Sequence, residues 1–228
     1  MNKLLKSILS LVLCIGCVFA LSACGQQNND AATDNSDTTA NSSTATAGNT
    51  DDSADGTPEE STAGESDILV AYFSWSGNTQ QVANWISDKT GGEVFRITPE
   101  VEYTEDDVFD RAQDELNNGT RPPLSSHIDS ETMAEYDVIF VGFPIWWYDL
   151  PMPVWSFLEE YDLSGKIIIP FFTHNGSSSG ASSISTLTEL CPDSTVLADD
   201  YFSYAGNNVS EAESSVDEWL DELGYRND

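Results

Sequence analysis

The chain has 228 residues, with eight Lys and Arg against 39 Asp and Glu, a formal net charge of −31. So few cations cannot neutralise a phosphate backbone, which excludes a nucleic-acid binder, and the acidic surface excludes attachment to anionic lipid through a basic patch. Six Trp and a 39% apolar fraction exclude a chain that is disordered throughout, and the length suffices for one good core.

Lys3 and Lys6 precede an apolar run from Ile8 to Leu21. That layout is a secretory signal, and 14 residues are too few to favour a membrane span. The run ends in Leu21-Ser22-Ala23-Cys24, which resembles a bacterial lipobox. The resemblance implies that residues 1–23 are removed as a lipoprotein signal peptide and that Cys24 is lipidated. The expected location is the extracytoplasmic side of the cell membrane, with membrane lipid held through Cys24. Cys17 lacks a Leu three residues earlier, and a cut at either Cys14 or Cys17 would leave the apolar run too short for a signal. Once they leave with the signal, Cys191 is the one thiol free of lipid, so no internal disulfide is expected. Its place between Leu190 and Pro192 reads as a buried structural thiol.

Residues 25–66 contain no Val, Ile, Leu, Met, Phe, Tyr or Trp, and no Lys or Arg. Nothing in them can offset chain entropy by burial, so residues 24–66 read as an acidic, solvated tether rich in Ser, Thr, Asn and Asp. Its r.m.s. span would be roughly 35–40 Å. Residues 67–228 keep six cations against thirty acids, a net charge of −24.

From there strands and helices alternate. Ile68 to Phe73 is a continuous apolar run, as in a parallel strand covered on both faces. Val82, Trp85 and Ile86 recur at helical spacing, and Val94 to Ile97 is a shorter, mixed strand. Residues 105–117 read as a helix. The stretch from Pro99 to Glu135, with Arg111, Arg121 and His127, reads as a solvated helix and a long loop, or alternatively as a wall of a pocket. Asp137 to Phe143 and Lys166 to Phe172 are two more buried strands, each followed by a helical pattern. Residues 195–203 hold a weaker strand, and Val216, Trp219, Leu220 and Leu223 mark a closing amphipathic helix. Five strands alternating with helices predict a doubly wound, three-layer α/β sandwich, whose ligand sits beyond the carboxyl ends of the strands.

Three loops leave those ends. Ser74-Trp75-Ser76-Gly77-Asn78-Thr79 offers hydroxyls and N–H groups at a helix start, an anion cradle that needs no cation. Read more simply, it is a polar turn with Asn78 or Thr79 as helix cap. Pro144-Ile145-Trp146-Trp147-Tyr148-Asp149 puts apolar side chains at the mouth of the sheet, which suits a planar ligand that stacks on aromatics, a partner surface or plain packing. Adjacent residues rarely both face a pocket, so one of the two tryptophans is expected to pack inward. Thr173-His174-Asn175-Gly176 and the serines after it can serve the polar edge of a heterocycle, with His174 a hydrogen-bonding loop residue rather than a base.

A strand ending in Ser-x-Ser-Gly-Asn-Thr resembles the phosphate loop of the flavodoxins, and residues 68–222 resemble a flavodoxin-like domain throughout. The resemblance implies a five-stranded parallel sheet in the order 2-1-3-4-5 and FMN as cofactor. It implies phosphate contacts from Ser74, Ser76, Asn78 and Thr79 with the backbone of Trp75 and Gly77. The flavin ring would lie between Pro144, Ile145, Trp146 and Trp147 on one loop and Thr173, His174, Asn175 and Gly176 on the other. Two departures stand out: the third loop has no aromatic besides His174, and no Gly lies between Pro144 and Asp149.

The expected function is electron transfer with a redox partner protein or a quinone. Alternatives are an FMN-dependent oxidoreductase using a quinone or NAD(P)H, and a flavin-free module that docks a partner through Trp146-Trp147-Tyr148. An acidic domain also disfavours added negative charge on a bound flavin, so its midpoint potential is expected below that of free FMN. Residues 176–180 match G-x-S-x-G, but an esterase triad in that order needs a His downstream, and His127 and His174 both lie upstream. Two isolated histidines and one mature thiol argue against a metal enzyme.

Overall fold

A computed structural model describes residues 67–227. The expected signal peptide, Cys24 and the expected tether lie outside the described residues. The elements run β1 Ile68–Tyr72, α1 Asn78–Thr90, β2 Glu93–Arg96, α2 Val108–Asn118, α3 Ser130–Glu135, β3 Val138–Pro144, α4 Met152–Glu160, β4 Ile167–His174, α5 Ala181–Leu190, β5 Thr195–Val196, β6 Phe202–Ala205 and α6 Glu213–Leu223. A 3-10 turn, Gly206–Glu211, joins the last two.

All strand pairs are parallel, in the order β2-β1-β3-β4-β5. β1, β3 and β4 are interior and buried on both faces, which is why they read as unbroken apolar runs. β2 is an exposed edge, hence its mixed composition. Alternation along β1 divides the core in two. Leu69, Ala71 and Phe73 face Val154, Phe157 and Leu158 of α4 and Ile184 and Leu187 of α5. Val70 and Tyr72 face Val82 and Ile86 of α1 and Val216 and Leu220 of α6. Helices on both faces of one parallel sheet make the three-layer sandwich.

The strand expected over 195–203 is two short strands. β5 pairs Ile167 and Ile168, and β6 pairs Phe171 to His174, so Ile169 and Pro170 face the gap between them. A proline has no N–H to donate to a neighbouring strand, and this break leaves it none to serve on that side. Leu197 to Tyr201 bulges out there, held by Tyr201 stacking on Phe172 at 5.1 Å and by Trp219 Nε1 donating to the Asp200 carbonyl at 2.8 Å.

Candidate functional site

The loops after β1, β3 and β4 converge at the carboxyl edge of the sheet around a cavity of about 460 Å³. That lies within the range of small-molecule and cofactor pockets. Two contacts lock the loops together: Ile145 N donates to the Thr173 carbonyl at 2.8 Å, and the hydroxyls of Thr79 and Thr173 are 2.9 Å apart.

The first loop reverses at Gly77, whose φ of 90° lies in the left-handed region where other residues are strained. Its N–H donates to Ser74 Oγ at 3.2 Å, closing the loop. α1 begins with no side-chain cap and no acid in its first turn, in a domain with thirty acids. Its N-terminal N–H groups and the positive end of its dipole are thus left for an anion. Asn78 and Thr79, weighed above as caps, do not cap it.

Trp75, Ser76 and Asn78 line the cavity. Ser74 and Thr79 are buried behind it, and Gly77 sets the turn. Gly206, just after β6, also lines it; a Cβ there would come within 2.7 Å of Asn78 Nδ2 and push that side chain aside.

The second loop supplies the aromatic wall through Pro144, Ile145, Trp146, Trp147 and Tyr148. Trp146 is the inward tryptophan: it meets Phe73 at 5.2 Å and Tyr103 at 5.1 Å, both edge to face. Trp147 and Tyr148 are exposed and turn the chain with φ of 49° and 69°. The reversal is bracketed by paired hydrogen bonds between Trp146 and Asp149. Asp149 fixes it below, accepting from Leu150 N at 2.8 Å and Thr186 Oγ1 at 3.0 Å.

The third loop lines the cavity with Thr173, His174, Asn175, Ser177 and Ser178, and Gly176 does not line it. His174 Nδ1 accepts from Gly176 N at 2.9 Å, so the ring shapes the loop. Ser178 Oγ accepts from Gly180 N at 3.1 Å, a turn-forming role in place of a nucleophilic one.

α2 closes the remaining side. Val108, Phe109 and Ala112 line the cavity, so the segment favoured above as a solvated helix is instead a wall of the pocket. Two indole N–H groups tie it in place: Trp75 Nε1 donates to the Tyr103 carbonyl at 3.1 Å and Trp147 Nε1 to the Phe109 carbonyl at 3.2 Å. Tyr103 donates its hydroxyl to the buried Glu115 carboxylate. Arg111 lies 4.0 Å over the Tyr103 ring and donates Nε to Glu115 at 2.8 Å. Burial, then the Glu115 carboxylate, hold the Tyr103 hydroxyl well above the usual tyrosine range, so it stays a donor.

One end of the cavity therefore presents hydroxyls and unpaired helix N–H groups, and the other presents aromatic and apolar side chains. This fits a flavin mononucleotide, an anionic phosphate joined to a planar, largely apolar ring. The aromatic cover missing from the third loop is available from Trp147, Tyr148 and Phe109.

The flavodoxin family profile matches residues 67–223. The chain belongs to the flavodoxin family. Among solved structures it is similar to a candidate flavoprotein from Bacteroides eggerthii, at 32% identity and a TM-score of 0.55, over 70% of this chain and 98% of that one. A candidate flavoprotein from Bacteroides uniformis matches at 31% identity and a TM-score of 0.56, over 68% and 98%. A flavoprotein from Lactobacillus acidophilus, solved in complex with FMN, shares the fold at 23% identity and a TM-score of 0.50, over 68% and 98%. No curated protein matches the chain. For a flavodoxin, the order β2-β1-β3-β4-β5 and a ligand cavity at the carboxyl ends of β1, β3 and β4 are the expected arrangement.

Proposed function

We propose that this flavodoxin binds FMN and transfers electrons from the extracytoplasmic side of the cell membrane, anchored by lipid on Cys24. The observation that carries the reading is the uncapped, acid-free N-terminus of α1 opening into the same cavity as the aromatic loop after β3. Support comes also from the family profile and from the FMN in the Lactobacillus acidophilus relative. Bound FMN would supply one- and two-electron redox chemistry. Ser76, Asn78 and the α1 N–H groups hold the phosphate. Trp146 and Ile145 seat the ring, and Thr173, His174 and Asn175 offer polar groups to its edge.

A quinone is the favoured small-molecule partner. Phe109 and Tyr148 stand 68% and 63% exposed at the rim, where a second apolar ring can stack, and the lipid anchor brings the domain to a membrane that holds such rings. A redox protein is the alternative partner, and salt dependence of the electron-transfer rate separates a charged protein from a neutral quinone.

The visible spectrum of the purified protein, titrated with FMN if it emerges colourless, tests the cofactor. A saturable flavin spectrum is expected; folded protein that takes up no FMN overturns the assignment. The net charge of −24 on residues 67–228 disfavours added negative charge on the flavin. The midpoint potential is therefore expected below that of free FMN, and a higher value in potentiometric titration refutes that. Substituting Cys24→Ser is expected to move the protein from the membrane to the soluble fraction.

A further inference from the structure

Residues 67–228 have five acids for every cation, and most of the cations are paired with one. Lys89 meets Asp217 at 2.6 Å, Arg111 meets Glu115 at 2.8 Å, Arg121 meets Glu159 at 2.6 Å and Arg226 meets Asp221 at 2.7 Å. Lys166 is buried and donates to the Tyr136 carbonyl at 2.5 Å. Arg96, the last residue of β2, is different. It forms no ion pair with a carboxylate among the described residues. Its Nη2 donates instead to the carbonyl of Ser74, the first residue of the anion loop, at 3.3 Å.

A second, smaller cavity of about 140 Å³ lies on this side of the loop, lined by Arg96, Ser74, Trp75, Thr98 and Glu102 among others. It has room for a few waters, at about 30 Å³ each. Ser74 and Trp75 form the partition: Arg96 lines the small cavity, whereas Ser76 and Asn78 line the large one. Glu102 shares the small cavity without pairing with Arg96.

We propose that Arg96 is the counter-charge of the phosphate loop: from behind Ser74 it offsets the charge of the flavin phosphate and makes the site select FMN over riboflavin. This rests on the FMN reading above. The loop itself offers only neutral donors, while a phosphate monoester brings about −1.5 to −2 charges at pH 7. The surrounding domain, at −24, opposes that charge. Because Gly77 N folds back to Ser74 Oγ at 3.2 Å, the loop is compact. An anion on its N–H groups would therefore stand on the far side of Ser74 from the guanidinium, an interaction that salt screens. The effect works through the field or a bridging water, so Arg96 is a positioning and electrostatic residue. Riboflavin has no phosphate and does not sense it.

The test is flavin fluorescence quenching with the full-length apoprotein, comparing wild type, Arg96→Gln and Arg96→Lys for FMN and riboflavin. Arg96→Gln is expected to weaken FMN roughly 3- to 10-fold at low salt and to leave riboflavin unchanged. Arg96→Lys keeps the charge and most of the FMN affinity. At about 1 M salt, where the Debye length is ~3 Å, wild type and Arg96→Gln converge. Arg96→Met keeps the apolar stem and replaces Arg96→Gln if that variant does not fold. Equal FMN affinity in wild type and the neutral variant at low salt overturns the proposal. So does a parallel loss of FMN and riboflavin, which would assign Arg96 only a structural role through Ser74. Wild type that binds neither flavin would instead overturn the FMN reading itself.

Discussion

The loops after β1 and β3 leave adjacent strands at the same edge of the sheet, and both reverse through positive φ, by opposite means. The first uses Gly77, at φ 90°, with no atom within 4 Å of where a Cβ would stand. The second uses Trp147 and Tyr148, at φ 49° and 69°, where a two-residue reversal ordinarily takes Asn-Gly. Each large residue in that region costs about 1–2 kcal/mol. The difference follows from what each loop offers. Where the backbone is the binding surface, glycine presents the N–H groups without strain. Where side chains are the surface, the aromatic residues must be there, and the strain is held by the Trp146–Asp149 pairing and the Trp147 bond to Phe109.

The strongest way to break this comparison is Trp146→Ala. It removes the ring that links the second loop to Phe73 and Tyr103, and is expected to cost about 3 kcal/mol in urea unfolding together with flavin binding. Gly77→Ala comes next. It has space but the wrong φ, so about 1–2 kcal/mol of stability is expected to go. FMN affinity should fall with it, while riboflavin, which does not use the loop, falls less.

The double change Trp147→Asn with Tyr148→Gly sharpens the contrast. It relieves the strain but loses the bond to Phe109, so apoprotein stability is expected to rise by about 1 kcal/mol while FMN affinity drops. An apoprotein melting temperature that falls would show that the turn stores no strain.

The smallest effect concerns the framework beneath both loops. Burial pushes the Cys191 thiol up to about 11. Folding therefore favours its protonated form, a contribution present in full below the unfolded value of about 8.5 and lost as pH rises towards 11. Tyr103, raised chiefly by burial, acts in the same direction at higher pH. Stability is expected to be insensitive to these groups near neutrality and to decline above about pH 9. Cys191 in the native protein should resist thiol reagents at pH 8 and react once denatured.

Much of the fold was legible because burial on both faces writes β1, β3 and β4 as unbroken apolar runs. The loops after them follow from the rule that ligands bind beyond strand carboxyl ends, and Trp75, Ser76, Asn78, Trp146 and Thr173 do meet at one cavity. α2 was not legible as a wall. Its sequence gives the helix, but the indoles that tie this segment to the cavity, Trp75 on Tyr103 and Trp147 on Phe109, bond across 28 and 38 residues of chain. The broken fifth strand was missed for a similar reason: its gap answers Pro170 on another strand.

The amino-acid sequence by itself determined the layered α/β class, the family, the anion loop and the charge imbalance of residues 67–228. These are local or compositional properties: periodicity, a six-residue motif, a count of charges. Only the tertiary structure decided which tryptophan turns inward, how closely Gly206 approaches the Asn78 side chain, and that Arg96 stands behind the loop after β1 with no acid partner among the described residues. Each depends on distances between residues far apart in the chain, and packing fixes such distances only when the sheet has closed.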